Sequence, residues 1–235
     1  MKLNGGTIPD EIVNRVVRWR GCEHCFAALD PARTALVVID MQHAFMDEAV
    51  GFAVVRTARD IVPAINRLAA AVRAAGGGVF WVRMTHDDKC LDDWSVNFAI
   101  STPERRTARI AALTAGSLGH RLWSELDVRP EDEIVDKYRY SGFLPGTSDL
   151  ADRLRARGFD TVLITGTLTN VCCESSARDA AMLNFRTVMV SDGNATVTQA
   201  EHDAALTAFY NVFGDVMDTD MLVAALQRPT AAAAE

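Results

Sequence analysis

The chain has 235 residues, of which 49% are apolar and 23% charged, a composition typical of a globular protein that buries a sizeable core. Its formal net charge of −7 argues against a nucleic-acid-binding protein, because such proteins usually present a basic face. The chain has no run of 18 apolar residues and no apolar stretch at its start, so we expect no membrane partner, no secretion signal and a cytoplasmic location.

Residues 1–30 precede the first predicted strand and form a leader, with a helix predicted over 10–20 that packs on the domain or on a partner subunit. The leader contains Cys22 and Cys25, a candidate metal or redox pair. A structural zinc site needs four ligands, usually including a second pair at similar spacing, and no such pair follows. We therefore interpret these thiols as incidental. The odd total of five cysteines also argues against a framework of disulfides.

Apolar runs of strand length alternate with amphipathic stretches over residues 31–228. The runs are continuous, which indicates strands buried on both faces of a parallel sheet. The predicted strands are 35–40, 78–84, 133–137, 161–166, 187–192 and 215–218, and the predicted helices after the leader are 56–75, 148–157, 171–184 and 199–212. This alternation predicts one α/β domain: a three-layer α/β/α, Rossmann-like fold around a central, mostly parallel six-stranded sheet. Residues 229–235 are predicted to be a frayed tail.

Three reactive side chains follow predicted strands. Asp40 closes the first strand, Lys137 closes the third, and Cys172 follows the fourth after a short turn. Because ligands bind beyond the carboxyl ends of parallel strands, we expect these groups to meet. Lysine is rare in this chain, occurring only at positions 2, 89 and 137. A helix N-terminus and a nearby ammonium lower the pKa of a thiol, so the pattern predicts an activated cysteine with Asp40 as its base.

Cys172 is followed directly by Cys173, and adjacent residues on a helix point about 100° apart. Only one of the two thiols is therefore expected at the reaction centre. In a helix over 171–184, Cys172 shares its face with polar residues near the helix start. Cys173 shares its face with small residues suited to close packing: Ala177, Ala180, Ala181 and Asn184. Periodicity favours Cys172 as the site residue and Cys173 as a core residue.

Three blocks stand in order along the chain: ALVVIDMQHAF, DKYRYSGF and TGTLTNVCCESSARDA. They resemble the motif blocks of the isochorismatase-like cysteine hydrolases, a family of α/β/α proteins. The resemblance extends over about residues 30–226. It implies a catalytic triad of Asp40, Lys137 and Cys172, with Cys172 as the nucleophile, and assembly as a homodimer or homotetramer.

The resemblance also implies a non-proline cis peptide between Thr167 and Leu168. In the family this bond orients two backbone N–H groups as an oxyanion hole. The corresponding donors here are the amides of Leu168 and Cys172. Donors of this kind, aimed at a developing oxyanion, are each worth about 3–4 kcal/mol of the barrier.

The presence of the cysteine argues for hydrolysis of a C–N bond, because the isochorismate hydrolases of this family lack it. Nicotinamidases carry an Asp-x-His…His metal site, whereas His86 stands alone here, so we expect neither a metal nor a cofactor. The stretches RYSGF and TNVC-ES look most like ureidoacrylate amidohydrolases, followed by N-carbamoyl amidohydrolases. The favoured function is cleavage of a small linear amide or ureido/carbamoyl compound through a thioester. The alternatives are a nicotinamide-type or biuret-type amidase, a catalytically silent binding protein on the same fold, and a redox thiol protein.

The substrate pocket is expected to draw on loops beyond the strand ends. The segment 85–103 is too long for a bare connection and is predicted to be a lid. Arg83 and Arg139 are candidates to hold a substrate carboxylate. The substrate-binding residues expected from the sequence are Tyr140, Asn97, Trp94 and His86.

Overall fold

A single sheet organises the structure, a computed structural model that describes residues 5–87 and 89–228; the tail predicted at 229–235 lies outside these residues. In the described chain the sheet has six strands in the order β3-β2-β1-β4-β5-β6, and every pairing is parallel. The strands are β1 (Thr34–Ile39), β2 (Gly78–Met84), β3 (Glu133–Lys137), β4 (Thr161–Thr167), β5 (Arg186–Ala195) and β6 (Asp215–Met217). The predicted fold class is confirmed, with a sheet that is wholly rather than mostly parallel.

Helices cover both faces of this sheet. They are α1 (Asp10–Arg20), α2 (His43–Met46), α3 (Val62–Ala74), α4 (Cys90–Asp93), α5 (Ser95–Ala99), α6 (Pro103–Leu113), α7 (Leu150–Ala156), α8 (Glu174–Met182), α9 (Gln199–Val212) and α10 (Thr219–Leu226). Helices α3 and α10 pack together against the sheet, and α8 and α9 pack together over β4, β5 and β6. Within the described residues, no helix is both long and apolar enough to cross a membrane.

The central strands are buried along their whole length, which explains their continuous apolar sequence. Every residue of β1 and β4 is buried. Removing an aliphatic side chain of this size from water contributes roughly 1.5–3 kcal/mol. Near their carboxyl ends the two strands approach closely at Gly166, where φ is +119° and a Cβ atom would lie 2.0 Å from the Ile39 carbonyl oxygen. Only glycine fits this position, which lies next to Asp40.

Two predicted segments differ from the structure. The helix predicted over 56–75 is a 3-10 turn, Arg56–Arg59, followed by α3, which has Pro63 in its first turn. Proline lacks an N–H and clashes inside a helix, but it is accommodated in the first turn. The segment 85–103, predicted as a lid, contains the short helices α4 and α5, and the sequence reading missed α6 altogether. The start of α6 is marked by Thr102, whose hydroxyl accepts the N–H of Arg105.

The leader packs on the flank of its own domain. Its helix α1 contacts α9, and the side chain of Val16 is fully buried. The Arg20 guanidinium donates to the carbonyl oxygens of Gly214 and Tyr210, at 2.9 and 2.6 Å. His24 Nδ1 lies 2.9 Å from Oδ1 of the fully buried Asp215 side chain. These contacts connect the leader to α9 and to the edge strand β6.

The pairing of His24 with Asp215 predicts that attachment of the leader depends on pH. The hydrogen bond to Asp215 raises the pKa of His24 above 6.5, although burial opposes the rise. The contribution of this pair to folding is therefore full below the unfolded value and is lost as pH rises through the folded pKa. We expect the stability difference between the wild type and His24→Gln to shrink between about pH 5.5 and pH 9. Urea unfolding across this range measures it, and a difference that stays constant would contradict the expectation.

Candidate active site

Asp40 occupies the turn that directly follows β1, at the centre of the sheet. Its side chain is fully buried, and its backbone has a positive φ of 55°. Few non-glycine residues adopt this conformation, but aspartate is among those that do. The adjacent Gln42 holds the turn in place. Its Nε2 donates to the carbonyls of Met84 and His120, and its Oε1 accepts the N–H of Met84 at 2.8 Å.

Lys137, the last residue of β3, reaches Asp40 across the end of β2. Its Nζ lies 2.9 Å from Asp40 Oδ2 and also donates to the Arg139 carbonyl at 3.1 Å, and both charged side chains are fully buried. Asp40 Oδ1 is also buried, and it accepts no hydrogen bond from the part of the chain that the structure describes. One carboxylate oxygen is thus held by the ammonium, while the other remains available to accept a proton.

Burial sets the acid–base properties of this pair. Desolvation raises the pKa of Asp40 above its ordinary value, and the attraction of Lys137 only partly offsets the rise. For Lys137, desolvation lowers the pKa, but the negative charge and hydrogen bond of Asp40 act in the opposite direction, and the pKa of Lys137 is raised. The lysine therefore stays cationic, and the carboxylate becomes a stronger base than an exposed aspartate.

Cys172 lies in a π-helical turn, Thr169–Cys173, that follows β4 and precedes α8. This differs from the predicted α-helix over 171–184, because the first turn is wider than an α-helical turn. Such π turns are frequent at functional sites. Two contacts anchor the turn: Thr169 Oγ1 lies 2.9 Å from His202 Nδ1 on α9, and Thr196 Oγ1 donates to Asn170 Oδ1 at 2.6 Å.

The Cys172 thiol interacts with both members of the buried pair. Burial raises its pKa well above the ordinary value, Asp40 adds to the rise, and Lys137 opposes it. The lowering of the thiol pKa expected from a helix N-terminus and from Lys137 is therefore outweighed. The cause is the loss of water around a thiol that is only 3% exposed. The resting group is a thiol beside a carboxylate, and it needs a base in order to react.

Cys173 is directed away from the cavity that Cys172 lines. Its side chain is fully buried, and its Sγ lies 3.9 Å from the Thr165 carbonyl oxygen of β4. The periodicity of the helix predicts that Cys173 is a core residue, and its side chain belongs to the hydrophobic core of the domain.

The backbone between β4 and the π turn carries the candidate oxyanion hole. The peptide bond between Thr167 and Leu168 is cis, at the position that the family resemblance implies. The Leu168 carbonyl accepts the N–H groups of Val171 and Cys173, both at 3.1 Å, and the intervening amide of Cys172 is not one of these donors. Leu168 and Cys172 both line the cavity described next.

A cavity of about 310 Å³ opens above Cys172. This volume is near the lower end for small-molecule sites. Its apolar wall is formed by Phe45, Phe52, Ala53, Met84, Ile100, Leu113, Leu168 and Val171, and its polar lining by Asn97, Ser101, Arg105, Arg109 and Tyr140. Two predicted substrate-binding residues, Asn97 and Tyr140, are therefore in the wall, where Asn97 Nδ2 donates to the Tyr140 hydroxyl at 3.0 Å.

The other predicted pocket residues lie behind this wall or outside it. His86 is buried and accepts the Arg109 Nε–H at Nε2, at 2.9 Å. Trp94 packs edge-on against the Tyr140 ring, with centroids 4.7 Å apart. The structure thus places both His86 and Trp94 in a supporting layer.

The two arginines considered for a substrate carboxylate are engaged elsewhere. Arg83 pairs with Asp136 at 2.9 Å, and the Arg139 guanidinium donates to the carbonyls of Tyr138 and Asp93. The cavity wall instead contains Arg105 and Arg109, both of α6. The sequence reading missed these residues together with the helix. The sequence Thr102-Pro103-Glu104 is a helix-start signal that identifies α6, but nothing in it connects Arg109 to Cys172.

No metal site emerges from the geometry within residues 5–87 and 89–228, since no group of three His, Cys, Asp or Glu side chains is arranged to share an ion. The neighbours of His86 are an arginine and a phenylalanine ring.

Comparisons with known proteins identify the family. Residues 34–221 match the isochorismatase domain. A ureidoacrylate amidohydrolase RutB of Methylobacterium radiotolerans is 35% identical over 222 residues, which cover 88% of this chain and 84% of that relative. The RutB protein of Pseudomonas syringae pv. syringae is 34% identical over 208 residues, 82% of this chain and 83% of the relative.

Solved structures agree with the sequence comparisons. A cysteine hydrolase from Pseudomonas syringae pv. phaseolicola superposes with a TM-score of 0.76 at 30% identity, covering 85% of this chain and 95% of that one. An N-carbamoylsarcosine amidase from Thermoplasma acidophilum superposes with a TM-score of 0.64 at 26% identity, covering 80% and 97% of the two chains.

Proposed function

This chain belongs to the isochorismatase-domain family of hydrolases, and on that premise we propose that it is a cysteine-dependent amidohydrolase of small linear ureido or carbamoyl compounds. Relatives named ureidoacrylate amidohydrolase and N-carbamoylsarcosine amidase support hydrolysis of C–N bonds. We favour a ureidoacrylate-like substrate, because relatives at 35% and 34% identity are ureidoacrylate amidohydrolases by name.

One observation carries the proposed mechanism: a thiol in the wall of a small cavity interacts electrostatically with a buried carboxylate–ammonium pair. Cys172 lines the cavity, and Asp40 and Lys137 lie behind it, joined at 2.9 Å. Asp40 and Cys172 follow β1 and β4, and Lys137 is the last residue of β3, so the sheet fixes their relative positions. Nucleophile, base and cation on a rigid scaffold are the components of an activated nucleophile.

The first half of the reaction forms a thioester. Asp40 accepts the thiol proton at Oδ1 as Sγ of Cys172 attacks the ureido or amide carbonyl carbon, which makes a C–S bond and places the negative charge on the carbonyl oxygen. The amides of Leu168 and Cys172 donate to that oxyanion. When the C–N bond breaks, Asp40 returns its proton to the departing nitrogen, and ammonia or an amine leaves.

The second half regenerates the thiol. A water molecule loses a proton to Asp40 and attacks the thioester or thiocarbamate carbon, and the C–S bond then breaks. The sulfur takes the proton back from Asp40, and the product leaves as a carboxylic or carbamic acid. Throughout the cycle Lys137 keeps its positive charge, which stabilises whichever of Asp40 and Cys172 is anionic.

The raised pKa of Cys172 gives Asp40 a necessary role in this scheme. A thiol that ionises only at high pH is a weak nucleophile on its own. Transfer of its proton to the adjacent carboxylate at the moment of attack avoids an isolated buried thiolate. The raised pKa of Asp40 makes its carboxylate a stronger base for this transfer than an exposed aspartate.

A screen for released ammonia tests the proposed function. Purified protein is offered ureido acids, N-carbamoyl amino acids, biuret, nicotinamide and simple linear amides at equal concentration. We expect turnover with the ureido or carbamoyl compounds. Activity confined to nicotinamide or to biuret would favour those alternative substrates, and no ammonia from any compound would favour a binding protein.

The acid side of the pH–rate profile reports on Asp40. The reaction requires this carboxylate in its basic form, and burial raises its pKa above 3.8. We expect kcat/KM on an uncharged substrate to fall as pH is lowered, with a midpoint above that of an ordinary aspartate. Circular dichroism at each pH controls for unfolding. A rate that persists unchanged to about pH 4 in folded protein would contradict the role of Asp40.

A further inference from the structure

The charge in the cavity is opposite in sign to that of the protein. The chain carries a formal net charge of −7. Among the described residues that line the cavity, however, the charged ones are Arg105 and Arg109, and no aspartate or glutamate joins them. Arg105 is exposed at the rim, with its guanidinium carbon 5.8 Å from the centre of the Phe52 ring. The cavity therefore presents positive charge to a ligand.

Arg109 is the buried member of this pair, with its residue only 8% exposed. Two of its donors have neutral acceptors: Nε donates to His86 Nε2 at 2.9 Å, and Nη1 donates to Asn97 Oδ1 at 2.6 Å. Its guanidinium also lies over the rings of Phe98 and Trp94, at 4.6 and 5.0 Å. These contacts fix the orientation of the guanidinium without supplying a negative charge.

The neutral state of His86 is important for this arrangement. Burial lowers the pKa of His86 to about 3, and the positive charges of Arg109 and Lys137 contribute. At neutral pH the imidazole therefore accepts a hydrogen bond from Arg109 without carrying charge. In the described chain no carboxylate pairs with Arg109, whereas the half-buried Arg73 pairs with Asp132.

A buried cation without a counter-ion is costly, because the protein interior screens and solvates charge poorly. Arginine has five N–H donors in a planar fork; two are engaged by His86 and Asn97, and the Tyr140 hydroxyl also interacts with the guanidinium. The remaining donors of a residue in the cavity wall can take up the two oxygens of a carboxylate. A bound anion would thus supply the missing charge.

We propose that Arg109 binds a carboxylate on the substrate and that this contact makes the enzyme selective for ureido or carbamoyl acids over their uncharged analogues. The inference rests on the proposed function and names the substrate class of the same site. His86 and Asn97 are positioning residues that hold the guanidinium, and Arg105 attracts the anion at the rim. The carboxylate lies at the α6 side of the cavity, and the reacting carbonyl lies at Cys172.

Paired substrates test this assignment. The probes are 3-ureidopropionate and its methyl ester, which differ in the charge of one group. We expect the wild type to have the higher kcat/KM on the acid. Arg109→Gln is expected to lower kcat/KM on the acid by about 10- to 100-fold, the range for loss of hydrogen bonds to a charged group. We expect a far smaller change in kcat/KM on the ester. Arg109→Lys keeps the charge without the planar fork, and we expect its kcat/KM on the acid to lie between those of the wild type and Arg109→Gln.

Arg33→Gln is the matched control. It removes an arginine that is paired with Asp160 near the amino end of the sheet, and we expect the preference for the acid to be unchanged. Retained ester turnover shows that Arg109→Gln has folded, and if that variant is insoluble, Arg109→Lys decides the question. Equal loss on both substrates in either variant, or no preference in the wild type, would overturn the proposal and leave Arg109 as a structural residue of α6.

Binding separates this inference from the proposed chemistry. In the Cys172→Ala background, titration calorimetry with 3-ureidopropionate measures affinity without turnover. We expect the acid to bind more tightly than its ester, and the additional change Arg109→Gln to remove that difference. If this binding pattern is found but the wild type releases no ammonia in the screen, the carboxylate site is retained and the hydrolase is rejected. Turnover with no dependence on Arg109 would do the reverse.

Discussion

Replacement of Cys172 by alanine or serine is expected to abolish ammonia release, whereas Cys173→Ala should retain most of it. The two residues are adjacent, and the charges of Asp40 and Lys137 act on both, but only Cys172 lines the cavity. Removal of a nucleophile that acts as a unit with its base lowers kcat by roughly 10⁴- to 10⁶-fold. Loss of the Cys173 sulfur leaves a small void in the core and costs about 1 kcal/mol of stability.

Measurement of kcat on the best substrate of the ammonia screen, together with thermal unfolding, distinguishes these effects. Each single variant serves as the control for the other, because both remove one buried sulfur from the same turn. An active Cys172→Ala together with an inactive but folded Cys173→Ala would reverse the assignment. Mass spectrometry of the wild type during turnover should find the added acyl or carbamoyl group on the peptide that contains Cys172, and in the Cys173→Ala protein as well.

Lys137→Met is expected to cost both activity and stability. The substitution removes the ammonium that lies 2.9 Å from Asp40 Oδ2, in a place where neither side chain reaches water. Breaking a buried ion pair from one side typically costs about 3–5 kcal/mol, since the remaining charge is left unpaired. The activity should fall to background. Without the ammonium, the buried Asp40 takes up a proton, because burial disfavours its charged form, and it can no longer accept a proton from the thiol.

The double variant Asp40→Asn, Lys137→Met separates the two losses. With both charges removed, we expect the free energy of unfolding in urea to recover most of the deficit of the single variant, while activity stays absent. Asparagine also tolerates the positive φ of this position, so the backbone is preserved. If the destabilisation of the double variant equals the sum of the two single variants, the charges do not interact, and the paired role of Lys137 is wrong.

The strand positions were predictable from the sequence because their cause is local. A strand buried on both faces needs an unbroken apolar run, and β2 and β3 begin and end at the predicted residues. The helix at 56–75 was less predictable, although Pro63 marks its true beginning. The lid segment was hardest to predict, since α4 and α5 are short and their stability depends on contacts with distant residues such as Tyr140 and Arg109.

The chemistry of the site could likewise be predicted only in part from the sequence. Asp40 and Lys137 could be named because the ends of parallel strands meet at one edge of a sheet, and the ion pair found between them follows from strand order. The acid–base state of Cys172 could not be inferred from its neighbours in the sequence. A helix start and a cation argue for a thiolate, but desolvation of the buried thiol has the larger effect on its pKa and raises it.

The sequence by itself therefore determined the sheet, the residues at its reactive edge and the family, because each depends on residue type and order along the chain. Only the tertiary structure decided which side chains face the substrate. Packing of α6 over the strand ends brings Arg109 into the wall beside Cys172, and it leaves His86 and Trp94 behind that wall. Such a placement is the outcome of many weak contacts between distant segments. No local pattern encodes it.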